Sequence, residues 1–384
     1  MISTRVASRL SVVFLCSLVT LAGCGGDDPS APPLTSAAVL ARGPFAVAHS
    51  YFELVDGSRP TPPNDSYAGA PSRTLQTNLW YPLAAEGAAV AAPGRHPVLL
   101  YSHGFMSWGT EGRYLDEHLA SHGYIVIAPD FPLTNILAPG GPAVADVVNQ
   151  PADVRFLLDT LLAFGAQPGH PLFGAVDGER VAAAGVSLGG MTTSLVTYHA
   201  TLRDPRIRAA ISIAGPGSMF DASFYATTSA PFLMIAGDID AIVDYPSNAL
   251  VAREMAGEKG LLVTLHGATH TGFANQSAEF MGGMDNPDNL GCAALTTQLE
   301  VDDVDFVALL GGAGAGIVKR DTPFPCTVSP LPTSIRPWRQ HDLVILAAAS
   351  FLDSQLAATA SERSRAAEFL RTTFPAENSE ASVD

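Results

Sequence analysis

The sequence predicts an α/β fold in which a mostly parallel sheet lies between two layers of helices. The chain has 384 residues, 47% of them hydrophobic, which is enough apolar material for one large core. From residue 74 onward, short apolar runs typical of buried strands alternate with longer segments typical of helices. Because each crossover between parallel strands must lie across a face of the sheet, this alternation favours helices on both faces.

The predicted elements follow one another in a strand–helix order that continues to residue 268. The predicted strands are short apolar runs bounded by turn residues, at 74–82, 96–104, 124–130, 180–187, 207–215, 231–238 and 260–268. The predicted helices lie at 111–123, 153–165, 189–200, 247–256 and 341–357. A stretch rich in Gly, Asp, Asn and Pro, residues 271–337, interrupts this order and is called the insertion below. We expect it to form a lid or rim over a functional site; a merely decorative insertion is the alternative.

The amino-terminal segment resembles a bacterial lipoprotein signal. Two arginines precede an apolar run over residues 10–22, a pattern typical of a secretory signal rather than a membrane anchor. The sequence LAGC at 21–24 resembles a lipobox, in which a peptidase cuts before Cys24 and the sulfur receives a lipid. Gly25 favours the outer membrane, and an ordinary secretory signal with an incidental cysteine is the alternative. We therefore expect a signal peptide at 1–23, a flexible tether at 24–40, a globular domain at 41–372 and an acidic tail at 373–384.

The insertion contains the two cysteines that remain when Cys16 leaves with the signal peptide and Cys24 is acylated. These are Cys292 and Cys326. In an oxidising compartment we expect them to form a disulfide, which would stabilise the protein by roughly 3 to 4 kcal/mol. Two buried free thiols are the alternative.

The acidic net charge narrows the range of partners. The formal charge is −16, and it becomes −18 without residues 1–23, which hold two arginines and no acid. Such a surface repels nucleic acid, so we expect a neutral substrate and no nucleic-acid partner. No glycine-rich nucleotide motif follows a strand, and the pairs His118/His122 and His266/His270 lack the glutamate of a zinc-binding helix. The sequence therefore predicts neither a cofactor nor a metal.

The segment GVSLGG at 185–190 places one serine between glycines at the end of a strand of small residues. A strand, a sharp turn and a helix in this order are typical of a nucleophile elbow. Gly185 and Gly189 would let the strand and the helix approach each other closely. We therefore interpret Ser187 as an activated nucleophile rather than an ordinary turn serine.

A serine hydroxyl needs a base to accept its proton and an acid to orient that base. After a nucleophile elbow the acid comes before the histidine in the chain, each at the end of a later strand. Among the acids that follow Gly237 at the end of the strand predicted there, the spacing favours Asp240, with Asp238 and Asp244 as alternatives.

The base and the oxyanion donors are predicted at two other strand ends. His270 follows the strand at 260–268 and is the favoured base, with His341 as the outside alternative. The oxyanion would be held by the backbone N–H groups of Leu188 and of a residue in the loop 103–106, for which we favour Phe105. His103 is expected to fix that loop by hydrogen bonds.

These segments together resemble the α/β-hydrolase superfamily over about residues 95–275. The resemblance is carried by YSHGFMSWGTEGRYLDEHLASHGYIVIAPDF (101–131), GVSLGG, GDIDAIV and GATHTGF. Within the superfamily the chain resembles dienelactone-hydrolase-like enzymes and platelet-activating-factor acetylhydrolases, and less closely the polyester hydrolases related to cutinases. The resemblance implies an α/β-hydrolase domain at 41–372 whose eight-stranded sheet is followed by the insertion. Val186 departs from many of these enzymes, which have His or Trp before the nucleophile.

We therefore expect an exported, lipid-anchored serine hydrolase that cleaves small neutral esters or lipids. Met106, Trp108 and Phe273 flank the predicted site and are expected to line an acyl pocket, with plain core packing as the alternative. An inactive surface binding protein and a peptidase or amidase are the competing interpretations. The sequence leaves the oligomeric state open.

Overall fold

The computed structural model of the protein describes residues 32–299 and 304–384. The predicted signal peptide and Cys24 lie outside the described residues, so their assignment stays a prediction. The predicted tether, 24–40, is described from residue 32 onward, and there it is not a free linker. A short helix, α1 (Ser36–Leu40), packs Val39 and Leu40 against the core.

A mixed sheet forms the centre of the fold, as the sequence predicted. The strands are β1 (Ala46–Asp56), β2 (Arg73–Leu83), β3 (His96–Ser102), β4 (Ile125–Asp130), β5 (Val176–Val186), β6 (Ile207–Ile213), β7 (Phe232–Gly237), β8 (Gly260–Leu265) and β9 (Ala381–Val383). They stand in the order β1-β2-β4-β3-β5-β6-β7-β8-β9, and the six strands from β4 to β8 in this order are parallel to one another.

The described part of the chain forms nine strands instead of the eight implied by the resemblance, and the insertion precedes the last of them. β1 escaped detection because it is an antiparallel edge strand whose side chains are alternately exposed, so it carries no continuous apolar run. β9 lies in the segment predicted as an acidic tail. It is only three residues long and pairs antiparallel with β8, a pairing that no local pattern could indicate.

Helices cover both faces of the sheet. α2 (Arg113–Ser121) and α10 (Pro337–Leu356) pack on one face, and α3 (Gln150–Ala166), α4 (Leu188–Tyr198) and α6 (Val251–Ala256) pack on the other. The small residues of β5 show this arrangement directly, since Ala182 and Ala184 face the first layer while Val181 and Ala183 face the second. The helices are α2 (Arg113–Ser121), α3 (Gln150–Ala166), α4 (Leu188–Tyr198), α5 (Ala222–Tyr225), α6 (Val251–Ala256), α7 (Asn275–Phe280), α8 (Asp288–Leu299), α9 (Phe306–Leu309), α10 (Pro337–Leu356), α11 (Ala360–Glu368) and α12 (Phe374–Glu377).

The insertion lies along the edge of the sheet where the parallel strands end. It bonds to the loops that follow β6, β7 and β8 through Val318 N–H to Met219 O (2.8 Å), Cys326 N–H to Ala241 O (2.6 Å) and Ile335 N–H to Gly267 O (2.9 Å). A disulfide joins Cys292 on α8 to Cys326, which confirms the predicted pairing. The described part of the insertion is therefore attached to this edge at several points.

Candidate active site

Ser187 occupies a sharp turn between β5 and α4. Its φ of 54° is a backbone conformation that residues other than glycine rarely adopt, so the turn is strained. The glycines on either side are required by space. A Cβ at Gly189 would lie 2.0 Å from Ser102 O, and one at Gly185 would lie 2.5 Å from the same oxygen. The strand–turn–helix geometry predicted from GVSLGG is therefore present.

His270 and Asp240 form a buried pair. Asp240 Oδ2 lies 2.8 Å from His270 Nδ1, and both residues are only 9% exposed. Asp240 Oδ1 accepts the backbone N–H groups of Ile242 (2.8 Å) and Val243 (2.7 Å), which holds the carboxylate in the turn after β7. With Nδ1 bonded to the acid, Nε2 is the ring nitrogen left to act as a base.

The charges around His270 favour its protonated form. Burial by itself lowers the pKa of the imidazole, but the acidic groups of Asp240, Asp288 and Glu111 outweigh burial, so the pKa of His270 is raised from its ordinary value. The surrounding acids therefore stabilise the imidazolium that forms when His270 accepts a proton.

The alternative acids and base have other partners. Asp238 bonds to His266 Nδ1 (2.9 Å) and to the N–H of Gly267 (2.7 Å) on the exposed side of the strand ends. Asp244 accepts the N–H of Ser247 at the start of the following helical turn. His341 bonds through Nε2 to Ala274 O (3.1 Å). The structure thus brings together Asp240 and His270 and none of these alternatives.

Ser187 and His270 line the same cavity, which has a volume of about 240 Å³. Met106 and Glu111 also line it. Ser187 also lines a second cavity of about 300 Å³. The two cavities share Ser187, Phe105, Ile242 and Leu295. Ser187 therefore borders both cavities.

Two backbone N–H groups beside Ser187 are free to bind an oxyanion. Within the described residues, the N–H groups of Phe105 and Leu188 bond to no protein acceptor, whereas those of Gly104, Met106 and Ser187 are occupied. They donate to Glu111 Oε2, Thr134 O and Ile213 O, respectively. Phe105 and Leu188 are the donors predicted from the sequence.

His103 holds the loop that carries Phe105. Its Nδ1 lies 2.6 Å from Gly104 O, and its Nε2 accepts the N–H of Phe131 at 2.9 Å. Burial lowers the pKa of the imidazole, so the neutral ring bridges two backbone segments. This confirms the structural role predicted for His103.

Of the three predicted pocket residues, one lines a described cavity beside Ser187. Met106 lines the cavity that holds Ser187 and His270. Trp108 is 36% exposed and Phe273 is fully buried in the core, and neither lines a described cavity beside Ser187. For these two the prediction was wrong, because proximity in the chain to a site residue does not determine which way a side chain points.

Glu111 is a site residue that the sequence analysis missed. It is buried, lines the cavity with His270, and accepts the N–H of Gly104 at 2.8 Å. Burial raises the pKa of its carboxyl to about 7, although the hydrogen bonds from Gly104 and Ser107 and the charge of His270 act in the opposite direction. A glutamate in the helical segment 111–123 gave no sequence signal, since most such residues are solvated.

Asp288 is the second missed residue, and it joins the acid loop to the histidine loop. This fully buried carboxylate at the start of α8 accepts three backbone N–H groups. Oδ2 accepts those of Ala241 (3.0 Å) and His270 (3.1 Å), and Oδ1 accepts that of Thr271 (2.6 Å). An aspartate from the insertion thus fixes the backbone on both sides of the Asp240–His270 pair.

The part of the chain that carries this site is similar to known proteins. A family model described as PET hydrolase-like matches residues 69–284, a range that contains Ser187, Asp240 and His270 and ends before Asp288. Chlorophyllase-1 of Arabidopsis thaliana is 32% identical over 115 residues, which is 30% of this chain and 33% of that protein. Poly(3-hydroxyoctanoate) depolymerase of Pseudomonas fluorescens is 31% identical over 138 residues, 35% of this chain and 42% of that protein. The matches therefore span less than half the length of either relative.

Proposed function

The chain belongs to the PET hydrolase-like family, and from that premise we propose that it hydrolyses carboxylic esters through an acyl-enzyme formed on Ser187. The observation that carries the proposal is the buried pair of Asp240 and His270, whose histidine lines the same cavity as the strained Ser187. The names of the two relatives, a chlorophyllase and a polyester depolymerase, support ester chemistry.

In the first half of the reaction, His270 Nε2 accepts the proton of the Ser187 hydroxyl while Oγ attacks the ester carbonyl carbon. The carbonyl oxygen becomes negative and is bound by the N–H groups of Phe105 and Leu188, each worth about 2.7 to 4 kcal/mol in the transition state. The tetrahedral intermediate then collapses. The bond to the alcohol oxygen breaks, and that oxygen takes the proton from His270.

In the second half, water replaces the alcohol. His270 accepts a proton from the water as its oxygen attacks the acyl carbon, and the proton returns to Ser187 Oγ when the acid product leaves. Asp240 stays bonded to Nδ1 throughout, so it keeps the ring in the required orientation and stabilises the imidazolium.

The test is the Ser187→Ala variant, assayed with p-nitrophenyl butyrate and labelled with a fluorophosphonate. We expect the parent to be labelled and active, and the variant to be neither. A folded variant that keeps the parental rate would overturn the proposal. A parent that is folded but unlabelled and inactive would instead favour the binding protein. Butyryl p-nitroanilide, assayed beside the ester, separates esterase from amidase activity, and we expect the ester to be the better substrate.

We further propose that the protein is exported and lipid-anchored through Cys24. The lipobox-like sequence supports this, and so does the disulfide, since disulfides persist mainly in oxidising compartments. Within the described residues no helix is long and apolar enough to cross a membrane. Labelling with a radioactive fatty acid tests the anchor. The parent should incorporate label and Cys24→Ala should not, and an unlabelled, membrane-free parent would refute it.

A further inference from the structure

We propose that the insertion gives the two cavities beside Ser187 different roles, so that the larger binds the acyl part of the ester and the smaller binds the alcohol. The preferred substrates would then be esters whose apolar acyl group has about ten heavy atoms. This inference rests on the proposed function, because it assigns the two halves of the ester that Ser187 would attack. The larger cavity is called the acyl compartment below and the smaller the alcohol compartment.

The position of His270 assigns the roles. In the acyl transfer described above, the departing alcohol oxygen must receive its proton from His270 Nε2, so the alcohol has to lie on the side of the imidazole. His270 lines the cavity of about 240 Å³ and not the cavity of about 300 Å³. The acyl group, which stays on Ser187 after the alcohol has left, is then directed into the larger cavity.

Both compartments are mainly apolar, and each also has polar residues in its wall. In the acyl compartment the side chains that suit a hydrocarbon chain are Met191, Met219, Phe306 and Pro325, and the same wall contains Ser218, Asp244, Asn248 and Thr322. In the alcohol compartment the hydroxyl of Thr271 is buried and finds no partner among the described residues, so it is available to an oxygen atom of the alcohol half. The walls therefore permit the assignment, and the position of His270 decides it.

The cavity volume sets how much of an acyl chain the compartment holds. At about 30 Å³ for each small group, the volume that one water occupies in the liquid, a cavity of about 300 Å³ holds about ten heavy atoms. An acyl chain of about eight to ten carbons would therefore fill the compartment, and the end of a longer chain would extend out of it, because the compartment is partly open to solvent.

The insertion supplies part of the wall of each compartment. Phe306 and Pro325 belong to it, and Leu295 on α8 contacts both compartments. The segment after α9 is held in place, since Val318 bonds to the backbone of Met219 and the disulfide of Cys326 ties it to α8. The family match ends at residue 284. Leu295, Phe306 and Pro325 come after it, so this part of the wall lies outside the matched region.

The test compares two series of esters. The acyl series is p-nitrophenyl acetate to dodecanoate, and the alcohol series is methyl to octyl butyrate followed by proton release. In Met219→Trp, which fills the acyl compartment, we expect the octanoate-to-acetate ratio of kcat/KM to fall about tenfold or more. The octyl-to-methyl ratio should stay within about twofold. Ala294→Trp, which fills the alcohol compartment, should show the opposite pattern.

Two further variants keep the test decisive. Leu290→Trp introduces the same side chain on α8, but Leu290 is 49% exposed and lines neither compartment, so neither ratio should change. If Met219→Trp does not fold, Met219→Ala enlarges the compartment and should shift the preferred acyl chain to greater length. Reversed patterns, or ratios that no filling variant alters, would overturn the assignment. Those outcomes would leave the proposed function intact as long as Ser187→Ala abolishes turnover, whereas an active Ser187→Ala variant would refute the proposed function itself.

Discussion

Replacing Asp288 by Asn should weaken both the fold and the control of proton transfer. The Asp288 carboxylate accepts three backbone N–H groups, two at Oδ2 and one at Oδ1. An asparagine has one acceptor oxygen. If that oxygen keeps the N–H groups of Ala241 and His270, its amide NH₂ group faces the N–H of Thr271, and a buried donor is left without an acceptor.

The size of the effect follows from that unpaired donor. A buried donor without a partner costs about 1 to 3 kcal/mol, so we expect the free energy of unfolding of Asp288→Asn to fall by that amount. The loss of charge has a separate consequence. Asp288 is one of the acids that raise the pKa of His270, so the Asn variant should have a lower His270 pKa.

The pH dependence of kcat/KM distinguishes this effect from simple loss of structure. Below its pKa, His270 is protonated and cannot accept the proton of Ser187, so activity falls on the acid side. With the charge of Asp288 removed, this acid limb should move to lower pH. The matched control is Asp238→Asn, which removes a charge at the end of β7 where the aspartate is partly exposed and bonds to His266. Its acid limb should move less, because water screens the charge. An Asp288→Asn variant with parental stability and a parental acid limb would refute the reasoning.

Three other predictions concern stability and can be measured by urea denaturation. Because burial raises the pKa of Glu111 to about 7, the unfolded chain releases this proton at lower pH than the folded protein, so stability decreases as the pH rises. Between pH 5 and pH 8 the free energy of unfolding of the parent should fall by about 2 to 3 kcal/mol more than that of Glu111→Gln. Equal decreases would contradict the burial of this carboxyl. Replacing Cys292 and Cys326 together by Ala should lower the free energy of unfolding by about 4 kcal/mol, since the bridge spans 34 positions. An unchanged midpoint of urea denaturation would show that the closed loop does not contribute to stability. Gly189→Ala should lower the free energy of unfolding by about 3 kcal/mol or more, because the new Cβ would meet the backbone. Gly57 has open space around it, so Gly57→Ala should be tolerated. Equal effects of the two substitutions would argue against the close approach of β5 and α4.

The parallel core was predictable because it depends on local patterns. Each of the six parallel strands contains a short apolar run that is buried on both faces, and that pattern is visible in the sequence without any knowledge of its neighbours. β1 and β9 were missed for the corresponding reason. They are edge strands whose place depends on pairing with β2 and β8.

The same distinction between local patterns and long-range contacts applies to the site residues. The elbow at Ser187 and the turns that carry Asp240 and His270 follow strand ends, so spacing along the chain indicated all three residues. Glu111 and Asp288 have no such signal. Each became visible only when the fold placed its carboxylate, buried, against backbone N–H groups from another segment.

The sequence by itself determined the class of the fold, the order of the elements and the residues at the ends of the parallel strands, because periodicity, small residues and turn residues act over a few neighbouring positions. Only the tertiary structure decided which carboxylates are buried, which amides remain free beside Ser187 and which side chains of the insertion form the walls of its two cavities. Those properties arise from contacts between segments far apart in the chain, and burial, hydrogen bonding and cavity shape exist only once the segments have packed together.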